Sequence, residues 1–247
     1  MPTKAPLSFR YYHILWSGLD LLFPPHCAGC GTLGWRWCPT CASGISRPVE
    51  PICAICGIPL DRPAGICDFC RAARPRYCAL RSWSLFENPV RNALHHLKYR
   101  RDIGLGEALT PALAESLAAL HWPVDIVVPV PLGKKRLAER GYNQASLIAR
   151  PLSMAMRMAY ASDALIRSQE TRSQVGLTRT QRQRNVCNAF RAKPSRVKGR
   201  IVLLVDDVAT TGSTLSSCAE ALYAAGAQDV FAFTVSRATP RHGLRTV

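Results

Sequence analysis

One stretch of this 247-residue chain combines residue types that could carry chemistry. Asp206 and Asp207 follow the apolar run Ile201 to Val205 and precede Val208-Ala209-Thr210-Thr211-Gly212-Ser213-Thr214. Two adjacent carboxylates beside a buried strand are costly unless they have partners. Carboxylates accept hydrogen bonds from a diol, and the 2′,3′-diol of a ribose fits them. The hydroxyls of Thr210, Thr211, Ser213 and Thr214, with the free backbone N–H groups of a helix start, form an anion cradle. Gly212 lets the backbone come close to a phosphate. A diol site beside a phosphate cradle describes a ribose 5-phosphate. Helix capping alone accounts for one hydroxyl, not for four hydroxyl residues behind two acids.

Two rival readings of this loop fail. The acidic pocket of a response-regulator receiver follows a similar strand, but it opens its domain, and only 47 residues run from Ile201 to Val247. No G-x-x-x-x-G-K-[ST] stretch occurs, which excludes a Walker-type nucleotide site.

The cysteines form the second chemical group. Eight of eleven lie in four Cys-x-x-Cys pairs: Cys27/Cys30, Cys38/Cys41, Cys53/Cys56 and Cys67/Cys70. Gly31 and Gly57 follow two of these pairs, where a positive φ closes a knuckle that aims two thiolates at one point. Two such turns supply four sulfurs, a closed tetrahedral zinc site with no open position, so the metal is structural. A disulfide framework needs an exported protein, and no export signal is evident; a redox Cys-x-x-Cys usually stands alone beside a strand. Spacing does not decide which pairs share an ion, and sequential pairing is the simplest arrangement. Cys78, Cys187 and Cys218 have no partner pattern and read as buried packing residues.

The elements that must position these groups change in texture after Cys78. Trp83 to Phe86 reads as a strand. Pro89 opens a helix carrying Val90, Ala93, Leu94 and Leu97. Ala108 to Leu120 has helical spacing, Asp125 to Val128 reads as a strand, and Asn143 to Tyr160 is largely helical with a kink expected at Pro151. Ile201 to Val205 is a strand buried on both faces, Ser213 to Ala225 a helix stopped by Gly226, and Val230 to Val235 another strand. Alternating strands and helices predict an α/β domain with a parallel sheet, whose ligands bind where strands end and helices begin. The second strand end of this kind is Val128 to Arg136, which carries Lys134, Lys135 and Arg136. The division expected is an amphipathic N-terminal segment at 1–24, a small Cys-rich module at 25–78, and the α/β domain at 79–247.

Composition narrows the partners. Lys plus Arg is 32 against 16 acids, a net charge of +16, which points to an anionic partner. Two zinc tetrathiolates would lower it to about +12. Ten basic residues and one acid lie between Arg167 and Arg200. No apolar run approaches the length of a membrane span. Asp20 interrupts the apolar stretch Ile14 to Phe23, and no cleavage site follows, so a cytoplasmic location is expected.

The order of motifs resembles the ComF/GntX family. It runs from the four cysteine pairs through Leu97-Lys98-Tyr99-Arg100, Val128-Pro129-Val130-Pro131-Leu132, Arg140-Gly141-Tyr142-Asn143-Gln144, Arg184-Asn185-Val186 and Ala189-Phe190 to the acidic loop. The resemblance implies a double zinc ribbon followed by a type I phosphoribosyltransferase domain. It implies 5-phosphoribosyl-1-pyrophosphate (PRPP) as ligand, bound with Mg²⁺, and two structural Zn²⁺. Asp206 and Asp207 would hold the ribose hydroxyls. Thr210, Thr211, Gly212, Ser213 and Thr214 would hold the 5′-phosphate, and a loop over Pro131 to Lys135 the pyrophosphate. A mobile loop is expected around Leu177 to Asn185. Family members are associated with DNA uptake in competence or use of external DNA, so single-stranded DNA and competence proteins enter as candidate partners.

The implied reaction displaces pyrophosphate from C1 of PRPP by a nitrogen nucleophile. Lys134, Lys135 and Arg136 would stabilise the departing charge, with Arg140, Arg182 and Arg184 as weaker candidates. No acceptor pocket and no proton-transfer residue is legible. Two non-catalytic alternatives share the sequence features: a single-stranded-DNA-binding module and a PRPP sensor.

Overall fold

The computed structural model describes residues 6–63, 65–168 and 189–239. A five-stranded, wholly parallel sheet forms the centre, in the order β1-β7-β6-β2-β3. Its strands are β1 (Leu80–Leu85), β2 (Ile126–Pro129), β3 (Ala159–Tyr160), β6 (Ile201–Ala209) and β7 (Asp229–Arg237). A small antiparallel pair, β4 (Leu165–Arg167) and β5 (Phe190–Ala192), stands apart from it. The helices used below are α1 (Leu7–Leu22), α2 (Pro39–Ser43), α3 (Asp68–Ala72), α4 (Val90–Tyr99), α5 (Leu105–Ala118), α6 (Lys134–Arg140), α7 (Gln144–Met156) and α8 (Ser213–Ala224).

Both sheet faces are buried, as the unbroken apolar run of β6 requires. Val202 and Leu204 point into one core with Val230, Ala232 and the α8 residues Leu215, Cys218 and Leu222. Leu203 and Val205 point into the other with Phe233, Trp83, Leu97, Leu113 and Ile148. Helix α7, after β2, lies on one face and α8, after β6, on the other, although β2 and β6 are adjacent strands. The chain therefore diverges between them, which leaves a crevice at their carboxyl ends.

Several elements differ from the sequence expectation. Strand β6 continues through the acid pair to Ala209, because its backbone stays paired with β7 up to Arg237. Asp206 and Asp207 thus sit on a rigid strand end and not in a loop. Pro151 lies within α7, which runs on to Met156. The helix stops there because Arg157 adopts φ +57°, and Ala159–Tyr160 then pairs with β2 instead of continuing the helix to Tyr160. Cys218 is buried as expected, but Cys78 is exposed, with its Sγ 3.3 Å from both Tyr223 Oη and Asp229 Oδ1. Cys187 and the expected loop from Leu177 to Asn185, with Arg182 and Arg184, lie outside the described residues.

The N-terminal segments are fastened to the sheet domain. Arg36 donates to Asp20 of α1 at 2.5 and 3.1 Å and to Asp102 at 2.7 Å, and stacks over Trp16 at 5.0 Å. His13 of α1 contacts Glu107 of α5 at 2.6 Å. No described helix is long and apolar enough to cross a membrane.

Candidate functional site

A cleft of about 780 Å³ opens at the divergence of β2 and β6. Its floor is the end of β6, with Asp206, Asp207, Val208 and Ala209. One wall is Thr210, Gly212, Ser213 and Thr214, at the start of α8. The opposite wall comes from the end of β2, with Val130, Pro131 and Leu132, and from Arg136, Glu139 and Arg140 of α6.

The hydroxyl wall follows from local geometry. Gly212 has φ +78°, a left-handed turn that reverses the chain into α8. Thr211 Oγ1 lies 2.8 Å from Ser213 Oγ and accepts from the Ser213 N–H at 3.3 Å, so this hydroxyl caps the turn. Thr210, Ser213 and Thr214 line the cleft together with the helix's first N–H groups, and Thr211 does not.

The acid pair is held by residues far away in sequence. The Asp207 N–H donates to Asp206 Oδ1 at 2.8 Å. Asp207 Oδ2 forms an ion pair with Lys98 Nζ, from the last turn of α4. Its Oδ1 accepts from Gln144 Nε2 at 3.3 Å, and Arg140 donates to Gln144 Oε1 at 2.5 Å. Burial and the neighbouring charge of Asp207 hold Asp206 well above the usual carboxylate range. Burial pushes Asp207 upward too, but the Lys98 ammonium outweighs it and brings Asp207 below that range. Lys98 in turn stays above the ordinary lysine value, since Asp207 overcomes its burial. Asp207 and the Lys98 ammonium thus form a charge-compensated couple, and Asp206 is the acid of the two that holds its proton more readily.

The block Arg140 to Gln144 does the positioning. Gly141 has φ +85° and ends α6. The Tyr142 hydroxyl donates to the Leu97 carbonyl at 2.6 Å, fixing the turn that carries Lys98. Asn143 caps α7 through Ala145 N at 3.1 Å and donates to the Val130 carbonyl at 2.9 Å, fixing the end of β2. Gln144 reaches Asp207, and Arg140 stacks over Tyr99 at 5.6 Å.

Of the three cations expected at the β2 end, Arg136 lines the cleft. Lys134 and Lys135 are exposed in the first turn of α6 and do not line it. Lys98, Tyr99, Arg101, Gln144 and Arg167 line it and were not singled out as site residues from the sequence. Their partners stand too far away along the chain for any spacing to reveal them; the two short blocks that marked the family resemblance were the available signal.

The cysteines gather into two clusters, Cys27/Cys30/Cys38/Cys41 and Cys53/Cys56/Cys67/Cys70, each with its sulfurs within 4.8 Å of one another. This is the sequential pairing. Sulfur separations of 3.7 Å (Cys27–Cys41), 3.6 Å (Cys30–Cys38) and 3.7 Å (Cys56–Cys67) match the edge of about 3.8 Å of a Zn–S tetrahedron. Backbone N–H groups of Cys38, Cys41 and Cys67 point at sulfurs at 3.4 Å, as thiolates require. The donor sets fit zinc. Hydrogen bonding with the Thr32 side chain brings the exposed Cys30 thiol down to about 6.

A parallel sheet with an acid- and hydroxyl-lined crevice, preceded by two four-cysteine modules, defines a phosphoribosyltransferase-fold domain carrying a double zinc ribbon. Comparison with known proteins agrees: residues 18–71 match the double zinc ribbon domain, and residues 137–242 the phosphoribosyl transferase domain. The DNA utilization protein YhgH of Salmonella typhimurium is 33% identical over 209 residues, covering 82% of this chain and 91% of that protein. Competence protein F of Haemophilus influenzae is 29% identical over 79% of this chain and 90% of its own length. Competence protein ComFC of Bacillus subtilis is 29% identical over 91% of this chain and 90% of its own length. The chain belongs to this ComF/GntX family.

Proposed function

We propose that the chain binds PRPP in the β2–β6 crevice and transfers its phosphoribosyl group to a nitrogen nucleophile, in the handling of external DNA within the cytoplasm. One observation carries the reading: the acid pair at the end of β6 faces the same cleft as the hydroxyl-lined start of α8. Asp206 and Asp207 take the ribose hydroxyls. Thr210, Gly212, Ser213 and Thr214 take the 5′-phosphate, with Thr211 shaping their turn. Arg136 and Arg140 line the cleft from α6 and would meet the pyrophosphate, and Lys134 and Lys135, exposed in the first turn of that helix, would add positive charge nearby.

Two carboxylates beside a phosphate site suit a hard divalent cation. Asp206 and Asp207 would hold Mg²⁺, whose chemistry there would be to neutralise charge on the pyrophosphate. This chain's residues do the rest. Lys98 and Gln144 hold Asp207 in place for the diol, so little reorganisation is needed as the C1–O bond breaks. The C1–O electron pair leaves with pyrophosphate, the nucleophile's nitrogen bonds to C1 and releases any proton it carries to the departing pyrophosphate or to water, and the guanidinium groups of Arg136 and Arg140 meet the growing negative charge. Zn²⁺ in each cysteine cluster serves structure alone.

Relatives are named for DNA utilization and competence, and this chain carries +16. Those two facts support single-stranded DNA, or a protein that carries it, as the macromolecular partner. Thermal unfolding tests the small-molecule reading: PRPP with Mg²⁺ at 100 times its dissociation constant should stabilise the protein by about 2.7 kcal/mol. Absence of any shift at millimolar PRPP would overturn it.

A further inference from the structure

The second ribbon is built into the sheet. The Leu80 N–H donates to the Ile55 carbonyl at 2.7 Å, which prolongs β1 into the knuckle. The Arg81 guanidinium donates to the Ala54 carbonyl at 3.1 Å. Gly57 packs so closely that a methyl group on it would stand 2.6 Å from the Leu80 carbonyl oxygen. Cys53, Cys56, Cys67 and Cys70 share one apolar cluster with Leu215 and Cys218 of α8.

The chain leaving that ribbon runs along the anion cradle. Tyr77 is 2% exposed, and a methyl group on Gly212 would lie 2.6 Å from its Oη and 3.6 Å from its ring. Its neighbour Arg76 donates its backbone N–H to Ser216 Oγ at 3.0 Å, one turn into α8. Two consecutive residues of the ribbon's exit therefore brace both ends of the Gly212–Ser216 turn. The first ribbon makes a different set of contacts. Its Ala28 packs in the core on the other sheet face, and Asn92 Nδ2 donates to the Gly29 carbonyl at 3.0 Å.

We propose that the second zinc ribbon is a positioning element of the phosphate cradle, with Tyr77 and Arg76 as the connection. Order imposed by metal on Cys53, Cys56, Cys67 and Cys70 passes through Tyr77 to the left-handed turn at Gly212. Zinc loss there loosens the cradle, whereas zinc loss at Cys27, Cys30, Cys38 and Cys41 spares it. Tyr77 touches no reacting atom; it acts through Gly212.

Hydrogen exchange on the full chain tests this without any ligand. Tyr77→Leu, still carrying both zincs, should raise exchange of the amides at 212–216 by about tenfold, the effect of a local opening easier by one order of magnitude. Tyr77→Phe keeps the ring against Gly212 and should stay within about twofold. Ser216→Ala should give about a threefold rise, as loss of one hydrogen bond predicts, and it decides the matter if Tyr77→Leu does not fold. Unchanged exchange at 212–216 in both Tyr77→Leu and Ser216→Ala overturns the proposal. So does faster exchange there in a Cys30→Ser chain that retains its second zinc. The affinity consequence rests on the PRPP reading: PRPP binding should weaken about tenfold in Tyr77→Leu. If wild type binds no PRPP, that reading fails while the exchange result still stands or falls by itself.

Discussion

Lys98 Nζ lies against Asp207 Oδ2, joining the last turn of α4 to the end of β6 across 109 positions of sequence. This ion pair makes an acid pair tolerable at the end of a buried strand. It also makes Asp207 the acid of the two that gives up its proton more readily.

Removing the ammonium should therefore cost stability. Lys98→Met should destabilise by about 3 kcal/mol, the low end for a broken buried pair, since Lys98 keeps some contact with solvent. Adding Asp207→Asn should recover part of that loss, because the uncompensated charge is then gone. Urea denaturation of the two single variants and the double variant measures the coupling. A Lys98→Met cost below about 0.5 kcal/mol would show that the pair contributes nothing.

The two acids should respond oppositely to pH. Asp207 titrates below its usual range when folded, so its contribution is present above the ordinary value near 3.8 and lost as pH falls through the folded value. Asp206 titrates well above that range, so the folded state binds the extra proton, and stability falls as pH rises from 3.8 through the folded value. Asp206→Asn should thus make the ligand-free protein more stable at pH 7 than wild type, with a gap that narrows toward pH 4. Asp207→Asn should be less stable at pH 7. Thermal melts from pH 4 to 8 check both signs, and a destabilised Asp206→Asn at pH 7 would refute the assignment.

Metal analysis should return two zincs per chain. The clusters should not release them equally, because Cys30 is exposed whereas all four sulfurs of the second cluster belong to buried residues. A chromogenic chelator should therefore show two phases, the faster one from the first cluster. Cys30→Ser should abolish the fast phase and leave about one zinc per chain. Loss of both zincs from that variant would show that the ribbons form one cooperative unit.

Tyr142→Phe removes a hydroxyl that donates to the Leu97 carbonyl and should cost about 1 kcal/mol in urea denaturation. Weaker PRPP binding should accompany it, because the same turn carries Lys98. Full affinity in a destabilised Tyr142→Phe would separate the hydrogen bond from the site.

The sequence displayed what depends on local pattern. The continuous apolar run at Ile201 to Val205 marks a strand buried on both sides, and the hydroxyl cluster at Thr210 to Thr214 marks a helix start. The paired cysteines mark two metal knuckles, and the nearest pairs do share a site. What stayed hidden depends on contacts between distant segments. Lys98 and Gln144 converge on Asp207 only after the sheet has formed. The extension of β6 through the acids depends on β7, whose partner residues lie some 28 positions further on. Lys134 and Lys135 looked equivalent to Arg136 because adjacent residues share a charge run, but helical rotation brings only Arg136 to the cleft. The place of Cys78 at an exposed position, beside Tyr223 and Asp229, was equally a matter of tertiary packing.

Titration calorimetry of the full-length protein with PRPP and Mg²⁺ tests the central claim most directly. Wild type should bind one PRPP per chain. The double variant Asp206→Asn, Asp207→Asn should bind none while keeping its two zincs. Absence of heat from wild type at millimolar PRPP, or undiminished binding by the double variant, would contradict the assignment of the β2–β6 crevice as a phosphoribosyl site.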